Sequence, residues 1–420
     1  MSNRPINIHR TMRHHIFVIA AALLVSLGAN AQKQDKNSQQ EYRRSSIYSV
    51  LISHSEQNYA SEIQKAFLDM PVPERYNDHN LSIKVLDMDK KLKGARSDDE
   101  NGVITTFLND NLVASRLVGK WFDRDVQTGQ CDMELVKFRG LYAANTFDEI
   151  MAEKSSRREA LLMDAGEDLI GNTFVLVNDI RYIDKAKKSQ GFGMALRILG
   201  AVAGQMAGVD LSDATDLVAS SVESIKGFKV RVNTFLYQLQ WNKEVADEFY
   251  SQSYTEDPDE AKRQYFESNR GNFQLKYVGK VESAGNNTSF LGVNLDEPYN
   301  MVRKACQRAL DENVADLAHD FEAFRTKVPL VSVAPLQAYV GMKEGITKDS
   351  KFEVLEIVEK EDGTRQYKRV GVIKPEPTLI WDNRYMAKEE GAANSTLGAT
   401  TFKKVSGGEL FPGMLIREID

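Results

Sequence analysis

Cysteine is nearly absent from this chain. Its 420 residues carry two, Cys131 and Cys306, too far apart in sequence to supply the close thiolate pairs of a zinc site or a dithiol redox centre. Histidine is as sparse: beyond residue 31 there are only His54, His79 and His319, with no His-Glu-x-x-His spacing. Neither a metal nor a cofactor is therefore expected. The chain also lacks a Gly-x-x-x-x-Gly-Lys-Ser/Thr phosphate loop. Gly191-Phe192-Gly193 opens like a dinucleotide fingerprint but places Leu196 where the third glycine belongs. Positive charge is short as well, the formal net charge being −6, which argues against nucleic acid as a partner. No uninterrupted apolar run reaches the length of about 18 residues that a membrane-spanning helix requires.

What is present begins with a leader. Arg10, Arg13, His14 and His15 form a basic region, residues 16–27 a short apolar run, and Ala29-Asn30-Ala31 a small-residue cleavage site. This is the pattern of a secretory signal peptide over residues 1–31, with Gln32 as the first mature residue and Met12 a second possible start. No cysteine stands at the cleavage point, so the exported protein is not expected to be a lipoprotein. Cleavage removes three positive charges and no negative ones, moving the net charge from −6 to −9. In an oxidising compartment Cys131 and Cys306 could pair, although Cys306 falls on an apolar helical stripe where a buried free thiol is the simpler reading. Residues 32–46 are polar and aperiodic, as in a flexible tether.

From residue 47 strands and helices alternate. Strands are expected at 47–53, 81–86 and 172–183, and helices at 59–70, 103–118 and 147–169. Residues 120–124 and 133–139 suit an antiparallel hairpin about Thr128-Gly129. The order favours an α/β domain over residues 47–190, a mixed sheet with covering helices. An insertion follows at 191–227, where Gly200, Gly204 and Gly208 recur every fourth residue and would let two helices approach closely, inside the domain or against a membrane or partner. Residues 228–329 complete the α/β part. They hold a strand at 228–241 with a bulge near Asn233-Thr234, its antiparallel partner at 272–283, a charged helix at 259–269, and a long helix at 298–328. In the last, Val302, Cys306, Leu310, Val314, Leu317, Phe321, Phe324 and Val328 share one stripe between Pro298 and Pro329, a rod of about 46 Å.

Past residue 330 the pattern changes to short strands, at 336–340, 351–358, 365–374, 378–381, 399–405 and 414–419. Asp362-Gly363 is a strong hairpin signal, and Gly341, Gly345 and Gly371 mark bends. Six strands at this spacing suit a small all-β barrel of SH3-like size over residues 330–420.

The α/β unit, the long helix opening at Pro298, and the terminal stretch from Gly341 through Gly345, Asp349 and Phe352 to Val354 resemble exported envelope-assembly proteins of the curli-secretion and flagellar-accessory kind. The leader ending at Ala31 resembles those of secreted Bacteroidota proteins. The resemblance implies an exported, periplasmic or outer-membrane-associated protein that binds envelope proteins or the membrane surface, and it is compatible with an oligomer. Gln32 stands where the curli-channel family carries a lipidated cysteine, and a helical insertion where that family has membrane hairpins, which argues against a pore.

One chemical constellation is visible. Ser53, His54 and Ser55 follow the first expected strand, and Asp87 and Asp89 the second. Parallel strands open on one edge, where α/β sites gather. A histidine held by a carboxylate can act as a general base, so a secreted hydrolase using His54, Asp87 and Asp89 is one expectation. In the plainer account Ser55 caps a helix and the aspartates close a turn. The first-ranked expectation is a non-catalytic scaffold or assembly factor.

Overall fold

The computed structural model describes residues 45–93, 99–143, 166–183, 227–288, 298–325, 327–359 and 365–419, all within the compact unit Arg43–Asp420. The leader, the tether up to residue 44, most of the expected helix at 147–169, the Asp362-Gly363 turn, and Gly200, Gly204 and Gly208 lie outside the described residues.

A mixed sheet organises the α/β part, in the order β2-β1-β4-β5-β6 with β3 also on β1. Its strands are β1 (Ser45–Ile52), β2 (Tyr76–Asp78), β3 (Val85–Leu86), β4 (Thr173–Tyr182), β5 (Gly227–Leu239) and β6 (Leu275–Thr288). β1 runs parallel to β2, β3 and β4, whereas β5 and β6 continue antiparallel. The apolar residues of β1, β4 and β5 divide by parity between two buried faces, as in a sheet covered on both sides. One face, with Tyr48, Val50, Val175, Val177, Phe235 and Tyr237, packs on α3 (Glu100–Asp110), α4 (Val113–Trp121) and α6 (Lys243–Gln252) through Leu108, Leu117, Trp121 and Phe249. The other, with Leu51, Ile180, Val230 and Val232, packs on α1 (Ala60–Leu68) and α8 (Pro298–Asp320) through Ile63, Phe67, Val302, Cys306 and Ala309. The layers are thus helix, sheet, helix. Short α2 (Asp89–Lys93) follows β3, α5 (Glu134–Ala143) follows α4, and α7 (Glu260–Ser268) follows α6. Asn242 and Asp259 cap α6 and α7 by accepting from Val245 N and Lys262 N.

Several expectations are corrected. The long helix stops at Asp320 after 23 residues, about 34 Å. Beyond it the chain turns so that Phe324, fully buried, stacks on Tyr76 and meets Phe174 edge-on. Val328 and Pro329 enter a strand paired with β12 (Leu415–Ile419). The helix expected at 103–118 is two, broken at Leu112, whose φ of 53° no helix can hold. The hairpin expected at 120–139 is helix, turn, helix: Asp125 Oδ1 accepts from Gln127 N and Thr128 N, and Asp132 Oδ1 accepts from Glu134 N where α5 begins. The strand expected at 81–86 shrinks to Val85–Leu86, and Tyr76–Asp78 is an unforeseen strand on the first half of β1. β1 itself starts at Ser45, in what was expected to be tether. The bulge lies between Leu236 and Tyr237, with Val278 of β6 the extra residue. It is not needed to reconcile the two parities, because both faces are covered. Tyr59, not Ser55, precedes α1. Cys131 and Cys306 are both buried free thiols.

The C-terminal part is all antiparallel. β7 (Val328–Val333), β8 (Leu336–Ala338), β9 (Lys351–Glu359), β10 (Arg365–Pro375), β11 (Thr400–Gly407) and β12 pair in the closed ring β10-β11-β8-β7-β12-β9. Leu330, Val354, Ile373, Phe402 and Ile416 fill its core. The sixth strand is β7. Residues 378–381 are loop, where the Trp381 carbonyl accepts from Met342 N. Among the described residues no helix is long and apolar enough to cross a membrane.

Candidate functional site

His54 leaves β1 two residues after Ile52, which pairs with Asp179 of β4. β3 ends at Leu86 on the same edge and feeds α2, whose first residue is Asp89. The parallel topology therefore delivers three titratable side chains to one point. His54 Nδ1 lies 2.6 Å from Asp89 Oδ1, and its Nε2 lies 2.5 Å from Asp179 Oδ1. All three residues are buried. Each carboxylate has a second partner: Asp89 Oδ2 meets Lys93 Nζ at 2.7 Å, and Asp179 Oδ2 meets Arg181 Nε at 3.0 Å. Lys93 also reaches Glu56. Burial works against ionisation of both aspartates, but the hydrogen bonds from Lys93 and His54 to Asp89, and from His54 with the charge of Arg181 to Asp179, outweigh it and hold both below the usual carboxylate range.

Each ring nitrogen of His54 thus faces a carboxylate oxygen at hydrogen-bond distance. Lys93 and Arg181 supply the outer positive charge beside Asp89, Asp179 and Glu56. Neither ring nitrogen of His54 is free to take a proton from a substrate. The loop is also tied down, since Gln57 Nε2 donates to Ile180 O and Gln57 Oε1 accepts from Tyr182 N. Of the residues expected here, His54 and Asp89 come together. Asp87 does not: it is exposed. Asp179 was missed. Its signal was Asn178-Asp179, two polar residues inside an otherwise apolar central strand. Asn178 continues a buried polar line, its Nδ2 donating to Ser49 Oγ and Val50 O and its Oδ1 accepting from Thr234 Oγ1.

His79 belongs to a separate node on the far edge of β1. Its Nε2 donates to Leu117 O and its Nδ1 accepts from Arg139, which also donates to Ser46 Oγ and Asp78 O and lies over the Trp121 ring. Burial, then the Arg139 charge, drives its pKa well down, so it is a neutral core histidine. His319 is exposed beside Asp320.

A third group lies where α8 faces the C-terminal β part. Asp311, Glu312 and Asp316 border a cavity of about 450 Å³ together with Arg308, Lys343 and Arg384. Burial raises all three carboxyls, that of Asp311 to about 7. No three His, Cys, Asp or Glu side chains among the described residues converge as metal ligands. Neither a scan against protein-family models nor a search among curated proteins returned a match.

Proposed function

We propose that this is a non-catalytic exported protein of the cell envelope, a scaffold or assembly factor acting through protein–protein contacts, with the closed antiparallel ring serving as an SH3-like binding or bracing module. The observation that carries this reading is the saturation of His54: the best chemical constellation in the sequence is spent on itself, as an ion network that locks the ends of β1, β3 and β4. Export rests on the leader, and the choice of envelope partners on the resemblance of the leader and the back half of the chain.

Capture from solubilised envelopes with the mature chain, residues 32–420, tests the reading. Co-purification of a defined envelope protein supports it, and mass spectrometry of the fractionated protein should find Gln32 at the N-terminus. Soluble protein with an intact leader would overturn the export. The second reading, a hydrolase working from His54, draws on the 2.6 Å contact with Asp89. It requires turnover of an ester, amide or glycoside that His54→Ala abolishes while the fold persists.

A further inference from the structure

We propose that the cavity between α6, α7 and the turn at 269–273 is a binding site for a small organic amine, an ammonium group on an apolar body the size of a benzene ring with a short alkyl arm. Its volume is about 240 Å³. An apolar cavity of roughly 150 Å³ takes up benzene, so a ring and a two-carbon arm fit here. The apolar part of the lining is Val245 and three rings, Phe249, Phe266 and Phe273. Aromatic faces attract organic cations, and Phe266 already does so elsewhere: the Arg124 guanidinium, paired with Glu267, lies 4.0 Å from its ring centre. Arg124 does not border the cavity, nor does any other lysine, arginine or histidine among the described residues.

The polar part of the lining selects a donor. Tyr265 Oη and Asn272 Nδ2 both donate to Glu248 Oε1, at 3.0 Å each, and Asn269 Nδ2 donates to Tyr265 O at 2.8 Å. These bonds hold the Glu248 carboxylate at the mouth and leave oxygens facing a ligand. Glu248 Oε2, Asn269 Oδ1 and Asn272 Oδ1 have no partner among the described residues, and Glu248 has no ion pair there. All three are within reach, because Glu248 and Asn272 are exposed and Asn269 Oδ1 is not among the sealed polar atoms. Ser253, at the C-terminal end of α6, adds a separate sign of a ligand. It lines the same cavity and is 3 % exposed, yet its hydroxyl has no protein partner. An ammonium supplies up to three N–H donors and one positive charge to a place that offers acceptors, one carboxylate and aromatic walls. A divalent metal ion needs several hard oxygen ligands about one point, which a single carboxylate does not provide.

This proposal does not depend on the scaffold reading. Isothermal titration of the mature chain at pH 7 with phenethylamine, its uncharged counterpart 2-phenylethanol, and an N-acetyl-lysine amide tests it. Phenethylamine is expected to bind at least tenfold more tightly than 2-phenylethanol. Glu248→Gln keeps an acceptor for Tyr265 and Asn272 on an exposed residue while removing the charge, and should weaken phenethylamine at least tenfold with an unchanged melting temperature. Val245→Phe, which fills the cavity from its lining, should abolish binding, whereas Glu244→Gln, exposed on the same helix and outside the lining, should leave it as in the parent. No heat from phenethylamine up to millimolar concentration, equal binding of 2-phenylethanol, or unchanged affinity in Glu248→Gln or Val245→Phe overturns the proposal. Tighter binding of the lysine amide than of phenethylamine also overturns it, by assigning the cavity to a partner's side chain in place of a free amine.

Discussion

Nε2 of His54 lies 2.5 Å from Oδ1 of Asp179, a contact between residues 125 apart in sequence that closes the edge shared by β1 and β4. With Asp89 on the other ring nitrogen, the histidine bridges two carboxylates that would otherwise repel each other in a buried place. Its removal leaves both with only their outer cations, Lys93 and Arg181.

His54→Ala is therefore expected to lower stability by about 3 kcal/mol, toward the lower end for breaking a buried ion pair, because those two cations still compensate. Partner capture should persist at temperatures where the variant is folded. Urea unfolding and capture on the same preparation check this. Loss of function with an unchanged melting temperature would move the hydrolase to first place.

The two aspartates near this edge should behave differently. Asp87 is exposed and outside the network, so Asp87→Asn should stay within about 0.5 kcal/mol of the parent. Asp179→Asn deprives buried His54 and Arg181 of a charge and should cost about 2–4 kcal/mol. Equal effects in denaturant titrations would mean that the network does not hold the edge.

This contrast also shows how far the sequence can be read. Strand-ending position placed His54 and Asp89 on one edge, since topology alone decides which strand ends are neighbours. Asp179 could not be placed there, because its partner is set by the register Ile52↔Asp179, which the sequence does not state. Periodicity found α8 but overran it. Phe321 and Phe324 keep the helical spacing, yet Phe324 reaches its place between Tyr76 and Phe174 by a turn. Between residues 120 and 139 short apolar runs suited strand and helix equally, and Asp125 and Asp132 decided the matter through local hydrogen bonds to backbone amides. Most of the antiparallel C-terminal strands were legible because alternation and glycine bends are local; the exceptions are β7, which begins at the last residue of the expected helix and runs through Pro329, and residues 378–381, which are loop.

Acidification should pull stability in opposite directions at the two carboxylate clusters. Asp311 has its folded value raised from 3.8 to about 7. The folded state therefore holds a proton that the unfolded chain has lost between those values, and stability falls as pH rises through this window, by at most about 4 kcal/mol. Asp89 and Asp179 are lowered, so their contribution is present above the ordinary carboxylate value and is lost as pH falls below it. Asp311→Asn should accordingly be more stable than the parent at pH 8 and equal to it near pH 3.5. Urea unfolding at both values measures the difference; an asparagine variant less stable at pH 8 would show that the carboxylate is matched after all.

Sheet and helix approach closely at Gly285 of β6, opposite Val230. A Cβ at this position would lie far inside contact distance of the Ala305 carbonyl oxygen and touch the Ala309 methyl group. The carbonyl is helix backbone and cannot turn aside as a flexible side chain would, so Gly285→Ala must push α8 off the sheet. Overpacking of this kind costs about 1–3 kcal/mol, and the loss should be at the upper end, because Val302, Cys306 and Ala309 lose packing together with the contact. Gly271, in the short turn after α7, is the matched control: its Cβ would meet nothing within 4 Å, and its φ lies outside the left-handed region. Gly271→Ala should be neutral or stabilising by a few tenths of a kcal/mol, through the reduced freedom of the unfolded chain. Thermal melts of the two variants beside the parent make the comparison. If Gly285→Ala melts with Gly271→Ala, then α8 does not lie on β6 as closely as these contacts require, and the cavity bordered by Asp311 must have a different shape.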